Sequence, residues 1–427
     1  MSTDFLFVTV PQTGHTLPLT PFAAELVRRG HRVRWYTGSS MAAAVLATGA
    51  EFLPIAAELD YDQSDLETAF PGRSALNGLP QARFDLEHIF LRPAGAHFAA
   101  LSAMPPADVV VGDTWAVAVP WLHESTGVPT ATIGVNPLLF PSVDAPPAGL
   151  GMTPIGAPFN RARNRFLNTI VRRVALAPSV RVADDVRQHI GLPRAQRNPL
   201  AYAARTQLYL QLSPPGFEYP RRDLPEHVHF LGYPIAESTA YDKPAWWDRL
   251  EGRVVLVTQG TVAVDPAAVL RPTLAALADR DVFVVAATGG APIESLNPLP
   301  DNAVAERFIP FDELLPHVDV LVTNGGFGGV QRAIAHGVPL VVAGTTEDKK
   351  DVNARVAHSG IGIDLRTETP TAEAIGTAVA TVLADDRYRK AAVRVRDSAP
   401  KENPVGRGTD LLEQLASQRT HEPAGGR

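Results

Sequence analysis

The sequence predicts an α/β protein made of two doubly wound parallel-sheet halves, and three observations carry that reading. Short apolar runs alternate with helix-spaced segments along most of the chain. The alternation starts twice, at Phe5 and again at Val254, on either side of a stretch rich in proline and charge. The 427 residues also exceed what one hydrophobic core usually serves.

The run 5–10 is continuously apolar, the pattern of a strand buried on both faces. Pro11-Gln12-Thr13-Gly14-His15 is a turn, and 19–29 reads as a helix closed by Gly30. Residues 32–36 read as a strand, 40–48 as a helix, 52–55 as a strand, and 109–111 as a strand before Gly112-Asp113. In the second half, strands are expected at 254–257, 282–286, 303–308, 318–323, 338–342 and 361–365, with helical spacing between them. The expected domains are 1–212 and 243–400, joined by a linker at 213–242. A last piece, 401–427, keeps one amphipathic segment at 411–415 before a disorder-prone HEPAGGR end, and its helix has a possible return to the first domain. Two irregular stretches, 57–105 and 137–160, read as surface loops.

Composition narrows the function classes. The net charge is −6 with both signs spread along the chain, which argues against nucleic acid or an anionic membrane as the main partner. With no cysteine, disulfides and thiolate metal sites are excluded, and a reducing compartment fits. Asp4 precedes the first apolar run and no basic leader stands before it, which reads against a signal peptide. No run approaches a membrane span, so a cytoplasmic protein is expected.

The chemistry concentrates at Asn324-Gly325-Gly326-Phe327-Gly328-Gly329, between a strand and a helix. Missing side chains let a ligand approach the backbone, several N–H groups can converge on one anion, and the helix dipole favours negative charge there. A phosphate or diphosphate is the expected guest. No GxxxxGK[ST] pattern exists, and the first turn, PQTGHTLP, lacks GxGxxG. An Asp60-Tyr61-Asp62 triplet offers paired carboxylates, but it lies in the irregular loop of the first half and no metal site is expected.

The stretch "NGGFGGVQRAIAHGVPLVVAGTTEDKKDVNARVAHSGIGIDL" resembles the donor-binding signature of nucleotide-sugar-dependent glycosyltransferases of the GT-B architecture, two Rossmann-like domains facing across a cleft. It is most similar to bacterial macrolide and natural-product members related to UDP-glycosyltransferases. The opening "PQTGHTLPLTPFAAELVRRGHRV" matches the family's start, so the resemblance spans nearly the full chain. The resemblance implies that Gly325, Gly326, Gly328 and Gly329 receive the donor diphosphate, helped by Gly260 and Thr261. Asn324 stands where many members have histidine, and Gly329 where many have Ser or Thr. Asparagine can donate a neutral amide bond but cannot become a cation. Asp348 and Lys349, within Glu347-Asp348-Lys349, take the place of the acidic-glutamine pair that contacts sugar hydroxyls. Phe308 and Ile309 fall where the nucleobase binds, although Phe308 equally suits a core position.

The same resemblance places a catalytic base at His15, behind Gly14. A neutral imidazole works better when a carboxylate fixes its other nitrogen, and Asp113 lies at a strand end in the same sheet. The expected reaction is metal-independent displacement with inversion, moving a hexose from UDP-glucose or a dTDP-sugar to a hydroxyl of a hydrophobic acceptor. No cofactor beyond the donor co-substrate is implied. Phe70, Phe84, Phe90, Trp115 and Phe140 offer a broad apolar acceptor pocket; they also suit a core role, and the sequence leaves both open. Two rivals share the architecture: a nucleotide-sugar epimerase, which needs no acceptor, and a non-catalytic partner protein.

Overall fold

The computed structural model describes residues 2–156, 158–235, 242–260 and 267–419. Its first sheet has seven strands: β1 (Asp4–Val8), β2 (Arg32–Thr37), β3 (Glu51–Pro54), β4 (Val109–Asp113), β5 (Thr130–Gly134), β6 (Leu208–Gln211) and β7 (Val228–Phe230). They are parallel throughout, in the order β3-β2-β1-β4-β5-β6-β7. The second sheet has six: β8 (Val254–Thr258), β9 (Phe283–Ala287), β10 (Ala303–Glu306), β11 (Val320–Thr323), β12 (Leu340–Val342) and β13 (Gly362–Asp364). Its order is β10-β9-β8-β11-β12-β13, again all parallel. The chain reverses direction across each sheet at the first strand of its half, which leaves a crevice at the carboxyl ends on both sides.

The continuous apolar runs are explained by helices on both faces. In β1, Phe5 and Phe7 enter one core cluster while Leu6 and Val8 enter another. In β8, Val254 and Leu256 divide from Val255 and Val257 in the same way. Residues 40–48, expected as one helix, form a 3₁₀ turn at Ser39–Met41 and a short helix at Ala42–Leu46.

The connection differs from a simple linker. After β6 the chain sends Phe217 into the second domain's core, then returns to lay β7 along the edge of the first sheet. That strand falls inside 213–242, where three strand residues among prolines and charges carry too little periodicity to register. The helix Pro404–Arg419 then crosses back onto the first domain. Leu412 and Leu415 enter the core beside Phe22 and Leu26, and Arg29 pairs with Asp410 and Glu413 at 2.6 and 2.7 Å. The HEPAGGR end lies outside the described residues.

Leu412 is fully buried. Leu412→Ala is therefore expected to destabilise the protein by about 2–5 kcal/mol. Urea unfolding followed by circular dichroism checks this, and a change under ~0.5 kcal/mol would show that the returning helix adds nothing to the first core.

Candidate active site

On the first-domain side, register brings two turns together. Val8 of β1 pairs with Gly112 of β4, so the turn after β1 abuts the end of β4. His15 sits in the one-turn helix Thr13–Thr16, and Asp113 is the last residue of β4. Asp113 accepts hydrogen bonds from the backbone N–H of Val10 (2.9 Å) and of Trp115. His15 Nδ1 lies 3.5 Å from Asp113 Oδ1, longer than a good hydrogen bond, and is otherwise unpartnered. Catalytic pairs are often loose before substrate binds. The Asp113 side chain is wholly buried and His15 keeps a small exposed edge.

On the second-domain side, Gly326 is the N-cap of the helix Phe327–Ala335. The N–H groups of Phe327, Gly328 and Gly329 fall in its first turn, where no intrahelical partner exists. Gly325 has φ +87°, and any Cβ there would run into the Asn353 amide. Nothing lies within 4 Å of a Cβ built at Gly329, so that position opens on free space. Asn324 is held by backbone groups on both sides. Its Nδ2 donates to the carbonyl of Gln259, and its Oδ1 accepts from the Gly326 N–H at 3.3 Å. The reason is register: Thr258 of β8 pairs with Thr323 of β11, which sets the next residues of both strands side by side. Gly260 follows Gln259 with φ +80°; Thr261 lies outside the described residues.

Phe308 is not a core residue. It is 68% exposed, and its ring lies over Gly290, whose Cβ would meet it at 3.1 Å. Ile309 behind it is buried. An open aromatic face at the ends of β9 and β10 is free to take a planar ring.

Glu347-Asp348-Lys349 is ordered by its own contacts. Glu347 takes φ +54°, and Lys349 is buried with its Nζ on Glu347 and Thr346, so this cation is not a solvated loop charge. Asp348 caps the helix Lys349–Ser359 and reaches across the cleft, where Asn136 Nδ2 donates to its Oδ2 at 2.7 Å. Burial pushes the Asp348 carboxyl above the usual carboxylate range. The Asn136 bond and Lys349 pull it back, against Glu347. Asn136 and Asp348 thus meet from opposite domains.

Four of the five proposed pocket aromatics are half-buried in the first domain, and they form pairs. Phe90 stacks on Trp115 at 4.5 Å and 15°, Phe84 stacks on His88, and Phe70 meets Tyr61 edge-on. Phe140 is buried in a separate cluster with Leu138, Tyr209 and Val228. The Asp60 carboxylate holds Ser39, and Asp62 holds Ser64. No group of metal-ligating side chains occurs among the described residues.

Sequence reasoning missed Asn136, Gln259 and Asn353. The Gln259 side chain is almost fully buried, and neither of its polar atoms has a partner. Its place directly before Gly260 at a strand end was the available signal.

Two parallel-sheet α/β domains, one carrying the His15–Asp113 pair and the other a glycine-lined helix terminus, fit a GT-B architecture. The model "Erythromycin biosynthesis protein CIII-like, C-terminal domain" matches residues 271–407. 4'-Demethylrebeccamycin synthase of Lentzea aerocolonigenes is 43% identical over 422 residues, covering 97% of this chain and 100% of the relative. UDP-glycosyltransferase 2 of Phaeomoniella chlamydospora is 32% identical over 437 residues, covering 96% and 95%. Among solved structures, CalG4, the calicheamicin glycosyltransferase, matches with a TM-score of 0.75 at 23% identity, over 98% of this chain and 99% of that one. VinC, solved in complex with dTDP, matches at 0.68 and 19% identity, over 97% and 100%. This chain belongs to the natural-product glycosyltransferases of the GT-B fold, enzymes that transfer a sugar from a nucleotide sugar.

The two glycine environments predict opposite outcomes. Gly325→Ala should destabilise the protein by about 1–2 kcal/mol from its left-handed backbone alone, and more from the displaced Asn353. Gly329→Ala, in open space within a helix, should hold stability or raise it by up to ~1 kcal/mol. Urea midpoints of the two variants test the contrast.

Proposed function

We propose that this protein transfers a hexose, with inversion at the anomeric carbon, from UDP-glucose or a dTDP-sugar to a hydroxyl of a flat hydrophobic natural product. The observation that carries this reading is the His15–Asp113 pair at the ends of β1 and β4, on the domain whose Asn136 meets Asp348 of the other. The first domain holds the acceptor and the second holds the donor. The acceptor hydroxyl gives its proton to His15 Nε2 while its oxygen attacks the anomeric carbon. Asp113 fixes the ring through Nδ1 and stabilises the imidazolium. The bond from the anomeric carbon to the departing oxygen breaks as the new one forms, and the diphosphate leaves with that electron pair. The first-turn N–H groups of Phe327, Gly328 and Gly329 and the helix dipole take up its charge, the task a divalent metal performs in other transferases.

Asp348 accepts sugar hydroxyls through Oδ1, which has no partner among the described residues, while Asn136 holds Oδ2. Phe308 carries the nucleobase. UDP is supported by relatives named UDP-glucosyltransferases, and a thymidine nucleotide by VinC. The Phe90–Trp115 stack suits a flat aglycone. A cytoplasmic location fits the absence of any helix, among the described residues, long and apolar enough to cross a membrane.

His15→Ala is expected to lower kcat by about 10²-fold or more while leaving thermal stabilisation by UDP or dTDP intact. Equal turnover by parent and variant across an acceptor panel would sink the mechanism. Incubation with UDP-glucose alone should leave the sugar unepimerised; conversion would favour an epimerase.

The Asn136 bond predicts a pH effect. A hydrogen bond to the carboxylate favours the charged form, so Asn136→Ala raises the Asp348 pKa further. Donor binding needs the carboxylate as acceptor and is lost as pH falls through that pKa. The acidic limb of kcat/KM for the donor should therefore move to higher pH in the variant. An unshifted limb would remove Asp348 from donor recognition.

A further inference from the structure

The helix Phe159–Ile170, widening into the turn Val171–Ala175, is amphipathic in the reverse of the usual sense. Its polar face points into the protein. Asn160, Asn164 and Asn168, one turn apart, donate to the backbone carbonyls of Asp144, Val143 and Ser142 at 2.7–3.2 Å. Its apolar face points out. Phe159, Ala162, Phe166, Ile170 and Val174 follow each other at spacings of three or four and form one ridge. Phe159 is 72% exposed, Phe166 65% and Val174 67%.

Charge says what covers it. Residues 159–176 carry five arginines and no Asp or Glu, within a chain whose net charge is −6. Arg161 pairs with Asp144, and Arg163 donates to the Thr153 carbonyl. Arg165, Arg172 and Arg173 are exposed and have no acidic partner among the described residues. We propose that this ridge binds the surface of an anionic lipid bilayer, lying in the interface plane with its apolar residues among the acyl chains and its free arginines on headgroup phosphates. A second copy of the chain is a poorer occupant, because a two-fold contact on this ridge sets the unpaired arginines of both copies against each other.

Flotation of the full chain with vesicles tests the proposal. The chain should float with mixed phosphatidylcholine–phosphatidylglycerol vesicles, and weakly or not at all with pure phosphatidylcholine or in high salt. Joint replacement Phe159→Ser and Phe166→Ser should lower partitioning about tenfold or more. Replacing Arg165, Arg172 and Arg173 by Gln should lower it roughly fivefold per arginine on anionic vesicles. Unchanged thermal stabilisation by UDP or dTDP shows that both variants are folded. Parent protein left in the aqueous fraction with anionic vesicles would overturn the proposal, as would binding that the serine replacements do not weaken. A parent dimer that the serine replacements split, without vesicle binding, would assign the ridge to a second copy instead.

Discussion

The geometry of the cleft depends on one buried guanidinium. Arg355, on the helix that Asp348 caps, donates to Glu218 at 2.9 Å and lies over the ring of Tyr219 at 4.4 Å. Glu218 belongs to the segment that dips into the second domain, and its other oxygen accepts from the Leu138 N–H of the first. One turn before Arg355, Asp351 accepts from Gly149 and Gly151 of the loop after β5. Burial drives the Asp351 carboxyl upward, and Arg355 with those two N–H groups pulls it back. Removing one member of such a set would strand a buried charge at a cost of about 3–5 kcal/mol. The cluster therefore fixes how far the loop after β5 stands from the helix that begins beside Asp348. Asn136 and Asp348 meet only because this anchor lies behind them.

The glycine turn obeys a second constraint, set by strand register rather than by the ligand. Three parallel strand ends converge there: Gln259 after β8, Asn324 after β11 and Gly344 after β12. Asn353 Nδ2 bonds the Gly344 carbonyl at 3.0 Å and occupies the space a side chain at Gly325 would need. Gly325 is thus required by packing, Gly326 turns the chain into the helix, and Gly328 and Gly329 leave the first-turn N–H groups bare. The four glycines do three different jobs.

Much of this was readable from residues alone. Both sheets announced themselves, because a strand buried on two faces must be apolar throughout, and His15 and Asp113 stood at strand ends where ligands bind. The exposure of Phe308 was not readable, since it depends on the neighbouring Gly290. Asn136 and the Arg355 cluster were illegible for a firmer reason. Their partners lie more than a hundred residues away, on another domain, and no local pattern encodes a pairing across a cleft. Strand β7 was lost differently, to its own brevity.

The fate of Asn324 follows from the same packing. In the proposed reaction the departing diphosphate develops charge beside this residue, where the family resemblance leads one to expect a histidine that can become cationic. Here the amide is spent on the Gln259 carbonyl and the Gly326 N–H, so it ties β8 to β11 and orients the helix entrance. In that reaction charge stabilisation falls to the helix terminus, whose preorganised N–H groups need no reorganisation as the bond breaks. A bulkier ionisable side chain at 324 would have to find its room beside Gln259, whose own amide is already buried without a partner. The substitution is better understood as a structural tie at the entrance of the phosphate cradle than as a loss from it.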